Sequence, residues 1–362
     1  MRIPVIFLFL FSIMSSCYTG DEVPPDQTTW EYDEPGSNGL SEDNLLELNE
    51  RISLNQFQFI NGLIIIKNNK LVFENYYNNY GRHSVIALDR ASVVFTVAAL
   101  GIALDEGLLS LTSPIYEFLP EYQVFFNDDV TKQDITIEHL LTHRSGLSWN
   151  ESLAAFIDNE DNNLNQMMSS QDWISFILDR PLQAIPGSFY NLNSGTGVIL
   201  AKIIENASGR PFFDYLKENL IDLIGITSLS IRQDPSGNYD GGRGISATLI
   251  DWTKFGSFMI DKGIWNNRKI IDPNFISEAT KFQAPVSAWY NLGYGWWLFG
   301  DNFEDSFPIP KDNIYYIPGE IGQHLYIIPD QNMIISIAAE NFFFGFGNPS
   351  LNLFSEITTS IQ

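Results

Sequence analysis

The chain has 362 residues, 44% hydrophobic and 14% aromatic, enough apolar material for one large domain or two intergrown ones. Lys and Arg total 20 against 44 acids, a formal net charge of -24, which repels nucleic acid and argues against a nucleic-acid partner. A single cysteine, Cys17, excludes an intramolecular disulfide and a cysteine-based metal site.

The first segment, "MRIPVIFLFLFSIMSSC", carries one basic side chain at Arg2, an apolar run and then small residues. This is the pattern of a secretory signal, shorter than a membrane span of about 20 residues. Met14-Ser15-Ser16-Cys17 resembles a bacterial lipoprotein cleavage box, so residues 1–16 read as a signal peptide and Cys17 as a lipidation site. The expectation is export across the inner membrane to the periplasm or cell surface, with the membrane reached through the lipid anchor. Residues 17–40 hold six acids, no Lys or Arg and several Pro and Gly, and read as a lipidated N-terminus with an acidic tether.

The globular domain is expected over 41–362. "SEDNLLELNERI" has helical spacing, with Ser41 or Asp43 as its cap. "NGLIIIKNNKLVFENYY" gives two β-rich runs around "KNNK", a hairpin. "LDRASVVFTVAALGIALDEGLLSL" is a helix that begins near Asp89, is apolar almost all round and stops at Gly107. From 112 to about 260 helices and loops alternate, with Pro/Gly breaks at "RPLQAIPGSF" and "DPSGNYDGGRG". Strand signals return at "YGWWLFG", "QHLYIIPD" and "MIISIAAEN", and a helix closes the chain at "PSLNLFSEITTSIQ". Strands at both ends around a helical middle predict an α/β chain of α+β type. Its antiparallel sheet is built from 41–90 and about 260–362, flanked by helices and interrupted by a mainly helical region over about 91–260. A site is expected in the cleft between sheet and insertion.

Seven blocks in order resemble the serine β-lactamase and penicillin-binding-protein-like family, nearest its class C and 6-aminohexanoate-oligomer hydrolase branch. They are "GLIIIKNNKLVFENYY", "FTVAALGIALDEGLLSLTSPIYEFLPEY", "ITIEHLLTHRSGLSWNE", "PGSFYNLNSGTGVILAKIIENASGRPFFDYL", "GGRGISATLIDWTKFG", "LGYGWWLF" and "GEIGQHLYIIPDQNMIISI". The resemblance implies a β-lactamase/transpeptidase-like fold and acyl transfer through a serine ester. That chemistry takes Ser and Lys as S-x-x-K at a helix start, where i and i+3 share a face, a tyrosine from the insertion, and a Lys or His with glycine on the closing strand.

The reactive letters are missing. Aligned on Phe95-Thr96, the family serine falls on Arg90 and the lysine on Val93. Arginine keeps its proton and valine has nothing to titrate. None of the ten lysines has a serine three residues upstream. Counted from Pro186-Gly187, the tyrosine falls on Leu192, followed by Asn193-Ser194-Gly195, with Tyr190 two residues early. Ile317-Pro318-Gly319 stands at the third motif, and Glu320 follows it.

The candidate cleft residues are therefore Arg90, Ser92, Tyr190, Leu192, Ser194, Gly319 and Glu320, with no catalytic residue assigned and no cofactor or metal called for. Ser92, with Phe95 at i+3, reads as a helix serine bonded to backbone, and His143 as a packing residue. A guanidinium buried at the old catalytic centre needs a carboxylate, so Arg90 is expected to pair with Glu320 or another cleft acid, plugging the pocket or receiving an anionic ligand. The function expected is a catalytically inactive, β-lactamase-related envelope lipoprotein that binds a peptide, muropeptide or amide-type ligand. Two alternatives stand beside it: an active hydrolase using Ser92 or Ser194, and an envelope scaffold with no small ligand. The sequence leaves the oligomeric state open.

Overall fold

The computed structural model describes residues 30–151, 161–303, 307–340 and 348–362. The signal segment, Cys17 and the tether as far as residue 29 lie outside the described residues. Among the described residues no helix is long and apolar enough to cross a membrane.

Both chain ends build the main sheet. Its first hairpin is β1 (Ile60–Lys67) and β2 (Lys70–Tyr76). The turn residues Asn68 and Asn69 both have left-handed φ, 51° and 60°, as a two-residue hairpin turn of matching twist requires. Three short strands follow in the middle of the chain, β3 (Val85–Ala87), β4 (Ser230–Ile231) and β5 (Ile245–Thr248), paired as a separate sheet in the order β3-β5-β4. A small hairpin, β6 (Ile264–Trp265) and β7 (Arg268–Lys269), comes next. The remaining strands are β8 (Ala284–Pro285), β9 (Tyr290–Leu292), β10 (Trp297–Phe299), β11 (Tyr315–Pro318), β12 (His324–Ile328) and β13 (Met333–Ala339). They complete an eight-stranded antiparallel sheet in the order β2-β1-β13-β12-β11-β10-β9-β8.

Each central strand is buried on both faces, which is why it reads as an unbroken apolar run. Ile64 and Ile66 of β1, with Leu325 and Ile327 of β12, face the helical half. Leu63 and Ile65, with Tyr326 and Ile328, face the two terminal helices, Glu42–Ser53 and Pro349–Thr359. The first of these helices is capped by Ser41, whose side chain accepts from the Asn44 N–H at 3.3 Å.

The tether expectation needs a correction at its C-terminal end. Residues 30–40 pack on the domain: Trp30 is 3% exposed and Leu40 is fully buried. Tyr32 bridges Leu71 on the edge strand β2, and Leu40 bridges Ile361. The acids around Trp30 and Leu40 made this stretch read as solvated, but two large apolar side chains suffice to anchor it.

The apolar helix spans Val93–Asp105, preceded by a 3-10 turn over Asp89–Ser92 and ended by Gly107 at φ +70°. Every side chain from Val94 to Ala103 is buried, because the helix is surrounded by the rest of the helical half. One of its partners is the helix Thr196–Ser208. A Cβ on Gly197, in its first turn, would come 2.3 Å from the Gly242 Cα, so glycine at both positions allows the 240–243 loop to lie against the helix. Thr96 fixes the same loop by donating to the Gly241 carbonyl at 2.7 Å.

Candidate functional site

The start of the apolar helix, the 240–243 loop, Glu151 and the segment after β11 meet in one place. Arg90, in the 3-10 turn, lies 3.1 Å from a Glu320 oxygen and 3.7 Å from Glu151. Arg243 pairs with Glu320 as well, lies 2.7 Å from Asp89, and is 3.7 Å from Glu151. Glu320 thus joins two guanidiniums, one oxygen to each. The side chains of Glu320 and Arg243 are 8% exposed, that of Glu151 is 1% and that of Arg90 is 16%, so the whole group is withdrawn from water. Removing either arginine would strand buried carboxylates, which costs several kcal/mol.

Glu151 is held further by three donors. The Trp149 indole N–H reaches it at 2.8 Å and the Ser194 backbone N–H at 2.7 Å, and the Ser194 hydroxyl donates to its other oxygen. Ser194 is 6% exposed and its hydroxyl also accepts from Arg243 at 3.4 Å. Its oxygen is a strut between Glu151 and Arg243.

Ser92 is fully buried and points away from the cluster. Its hydroxyl accepts from the Ile245 N–H at 2.9 Å and donates to the Ile245 carbonyl, tying the helix start to β5. Val93 and Leu192 are half-buried and bring no polar group. Gly319 begins a tight turn, its N–H donating to the Gln323 carbonyl, and so sets Glu320 at the end of β11.

Tyr190 lies beside the cluster, where its ring meets the His143 ring edge-on at 6.1 Å. Its hydroxyl finds no hydrogen-bond partner among the described residues. Burial pushes the phenol up to about 12, so it stays protonated and is unsuited to take a proton from a nucleophile. His143 accepts the Asn193 N–H on Nδ1 at 3.4 Å. Burial, with the Arg90 charge nearby, lowers its imidazole to about 4, so it is neutral in ordinary buffer. Burial likewise raises the Asp89 carboxyl; Glu320 adds to the rise, while Arg243 and Arg90 oppose it.

Among the described residues the group holds three carboxylates and two guanidiniums, a surplus of one negative charge. This disfavours the anionic-ligand form of the Arg90 expectation, since both arginines are already matched. A cavity of about 540 Å³, lined by Lys262, Phe282, Lys311 and Asp330 among others, lies by the start of β11 and is separate from the cluster at its other end.

Three members of the cluster escaped the sequence reading as site residues: Asp89, Glu151 and Arg243. Glu151 ends the block "ITIEHLLTHRSGLSWNE" and Arg243 sits in "GGRGIS", but nothing in their spacing joins them to Arg90. The remaining signal was an arginine at a position that needed carboxylate company, and it pointed to only one of the acids.

Comparison with known proteins bears on the fold. The family model described as Beta-lactamase matches residues 60–350. A candidate 6-aminohexanoate-dimer hydrolase from Bacillus anthracis superposes with a TM-score of 0.73 at 19% identity, covering 91% of this chain and 85% of that one. The octameric penicillin-binding protein homologue from Pyrococcus abyssi gives a TM-score of 0.65 at 18% identity, covering 86% and 76%. In sequence, an uncharacterized protein of Mycobacterium tuberculosis is 23% identical over 275 residues, 63% of this chain and 68% of the relative. With its antiparallel sheet built from both ends and its helical half, the chain belongs to the beta-lactamase family.

Proposed function

We propose that this chain is a catalytically inactive, β-lactamase-related envelope lipoprotein, anchored through Cys17, that engages a peptide, muropeptide or amide-type ligand without cleaving it. The observation that carries this reading is the buried cluster. Where the family reaction needs an alcohol and an amine, Arg90 stands paired with Glu320, and Val93 offers no base. Neither spare serine is placed to replace them: Ser92 is spent on Ile245 and Ser194 on Glu151. The ligand contacts then fall to the rim, where Ile185 and Phe189 are 77% and 55% exposed, just before Tyr190, whose hydroxyl is buried. The filled centre also favours a second reading, a scaffold that takes no small ligand.

The test is to incubate the purified protein with a fluorescent penicillin and a fluorophosphonate probe. No covalent labelling is the expected result. Labelling that disappears in Ser92→Ala or Ser194→Ala would overturn the proposal in favour of an active hydrolase. Saturable binding of cell-wall fragments, weakened by Phe189→Ala, separates the binding protein from the scaffold. Metabolic labelling with a fatty-acid analogue, lost in Cys17→Ala, tests the anchor.

A further inference from the structure

We infer that the plug is a proton-set latch: the cleft is held tightest when Asp89 carries a proton and loosens as Asp89 ionises. The inference rests on the reading of the cluster as a plug and concerns what regulates it.

The arrangement singles out one carboxylate. Glu320 has each oxygen on a guanidinium, and Glu151 is filled by Trp149 and the two Ser194 donors. Asp89 accepts from the Arg90 backbone N–H and, for a charged partner, shares one guanidinium nitrogen of Arg243 with Glu320. It is also the first residue of the 3-10 turn, at φ +50°, a left-handed conformation that costs a non-glycine residue energy unless its surroundings hold it. The groups facing it are Arg243 from the 240–243 loop, Glu320 from the segment after β11, and Arg90 from its own turn. Beyond them lie Glu151, His143 and Tyr190. His143 stays neutral above about pH 5, and Tyr190 stays neutral up to alkaline pH.

With all three acids charged, Asp89 and Glu320 compete for Arg243 and repel each other while sharing it. A proton on Asp89 brings the cluster to two charges of each sign and removes that repulsion. Ionisation restores it, and the turn carrying Asp89 is then pushed from the segment after β11 that carries Glu320. The sign follows from linkage. Burial raises the Asp89 carboxyl in the folded chain, so the folded state binds this proton more tightly than the unfolded one. Its stabilising contribution is complete below the ordinary aspartate value and is lost as pH rises through the raised value.

The experiment compares thermal unfolding of the wild-type chain and Asp89→Asn from just below the ordinary aspartate value, about pH 3.5, to about pH 8. Asparagine tolerates left-handed backbone and cannot ionise. As pH rises, the wild type should lose Tm relative to the variant, by about 2 °C for each unit by which the carboxyl is raised. Parallel profiles would overturn the latch. Should the variant fail to fold, a carboxyl-carbon NMR titration of the wild type decides: a midpoint above the ordinary aspartate value supports the latch, and one at or below it overturns it. Parallel profiles with silent covalent probes remove the latch and leave the plug, whereas probe labelling removes the plug whatever the pH profile.

Discussion

The two ends of β11 and β12 show two ways of holding a protein together. Along the sheet, Leu325, Ile327, Ile334 and their neighbours are buried on both faces among side chains that carry no charge. A few residues on, past Pro318, the same layer is closed by Asp89, Arg90, Glu151, Arg243 and Glu320. Apolar packing is non-directional and tolerates volume-conserving change, because any well-fitting hydrocarbon serves. The charged end is different: each member is tolerable only while the others are present, since desolvation offsets most of the Coulomb gain. The sheet supplies stability, and the cluster supplies a specific closed arrangement of the cleft.

That contrast can be broken at either end. Phe255 is fully buried, 4.3 Å from the Phe95 ring and stacked on Trp296, so Phe255→Ala should cost about 3–5 kcal/mol in urea unfolding. Glu320→Ala should cost about 3 kcal/mol by the same measurement, because it removes the nearest carboxylate of Arg90 and the bridge between the two guanidiniums. A double-mutant cycle with Arg90→Ala should show coupling of more than 1 kcal/mol, and additive losses would mean that the pair is a bystander. Ser194→Ala removes one donor of Glu151 and should cost about 1–2 kcal/mol, leaving probe labelling silent. Ser41→Ala, at the capped helix that covers the sheet, should cost about 1 kcal/mol. Tyr190→Phe should change stability by less than about 0.5 kcal/mol, since its hydroxyl has no hydrogen-bond partner to lose. A larger loss there would assign the hydroxyl a structural role.

Most of the architecture was legible before the structure. Periodicity located the 60–76 hairpin, the 93–105 helix and the closing strands, since local backbone preference and burial agree in each. Residues 30–40 misled because composition is an average, and Trp30 and Leu40 outweigh their acidic neighbours once a surface is available to cover. The strand at 245–248 inside the helical region was missed: four residues give too little alternation to stand out. At the site, the Arg90–Glu320 pair was legible because both residues fall where the family's motifs align, and a buried charge there demands a partner. In the sequence Asp89 reads only as the start of a helix, and Glu151 and Arg243 lie in blocks whose spacing gives no link to Arg90.

The sequence by itself determined the fold, through the order of its apolar blocks, and the absence of any serine three residues before a lysine. Only the tertiary structure decided what surrounds Arg90. Asp89, Glu151, Arg243 and Glu320 are brought together from four distant parts of the chain by the glycine contact at 197 and 242, the turn after β11 and the strut at Ser194. Charge balance in a buried cluster is a property of that meeting, and distance along the chain carries no information about it.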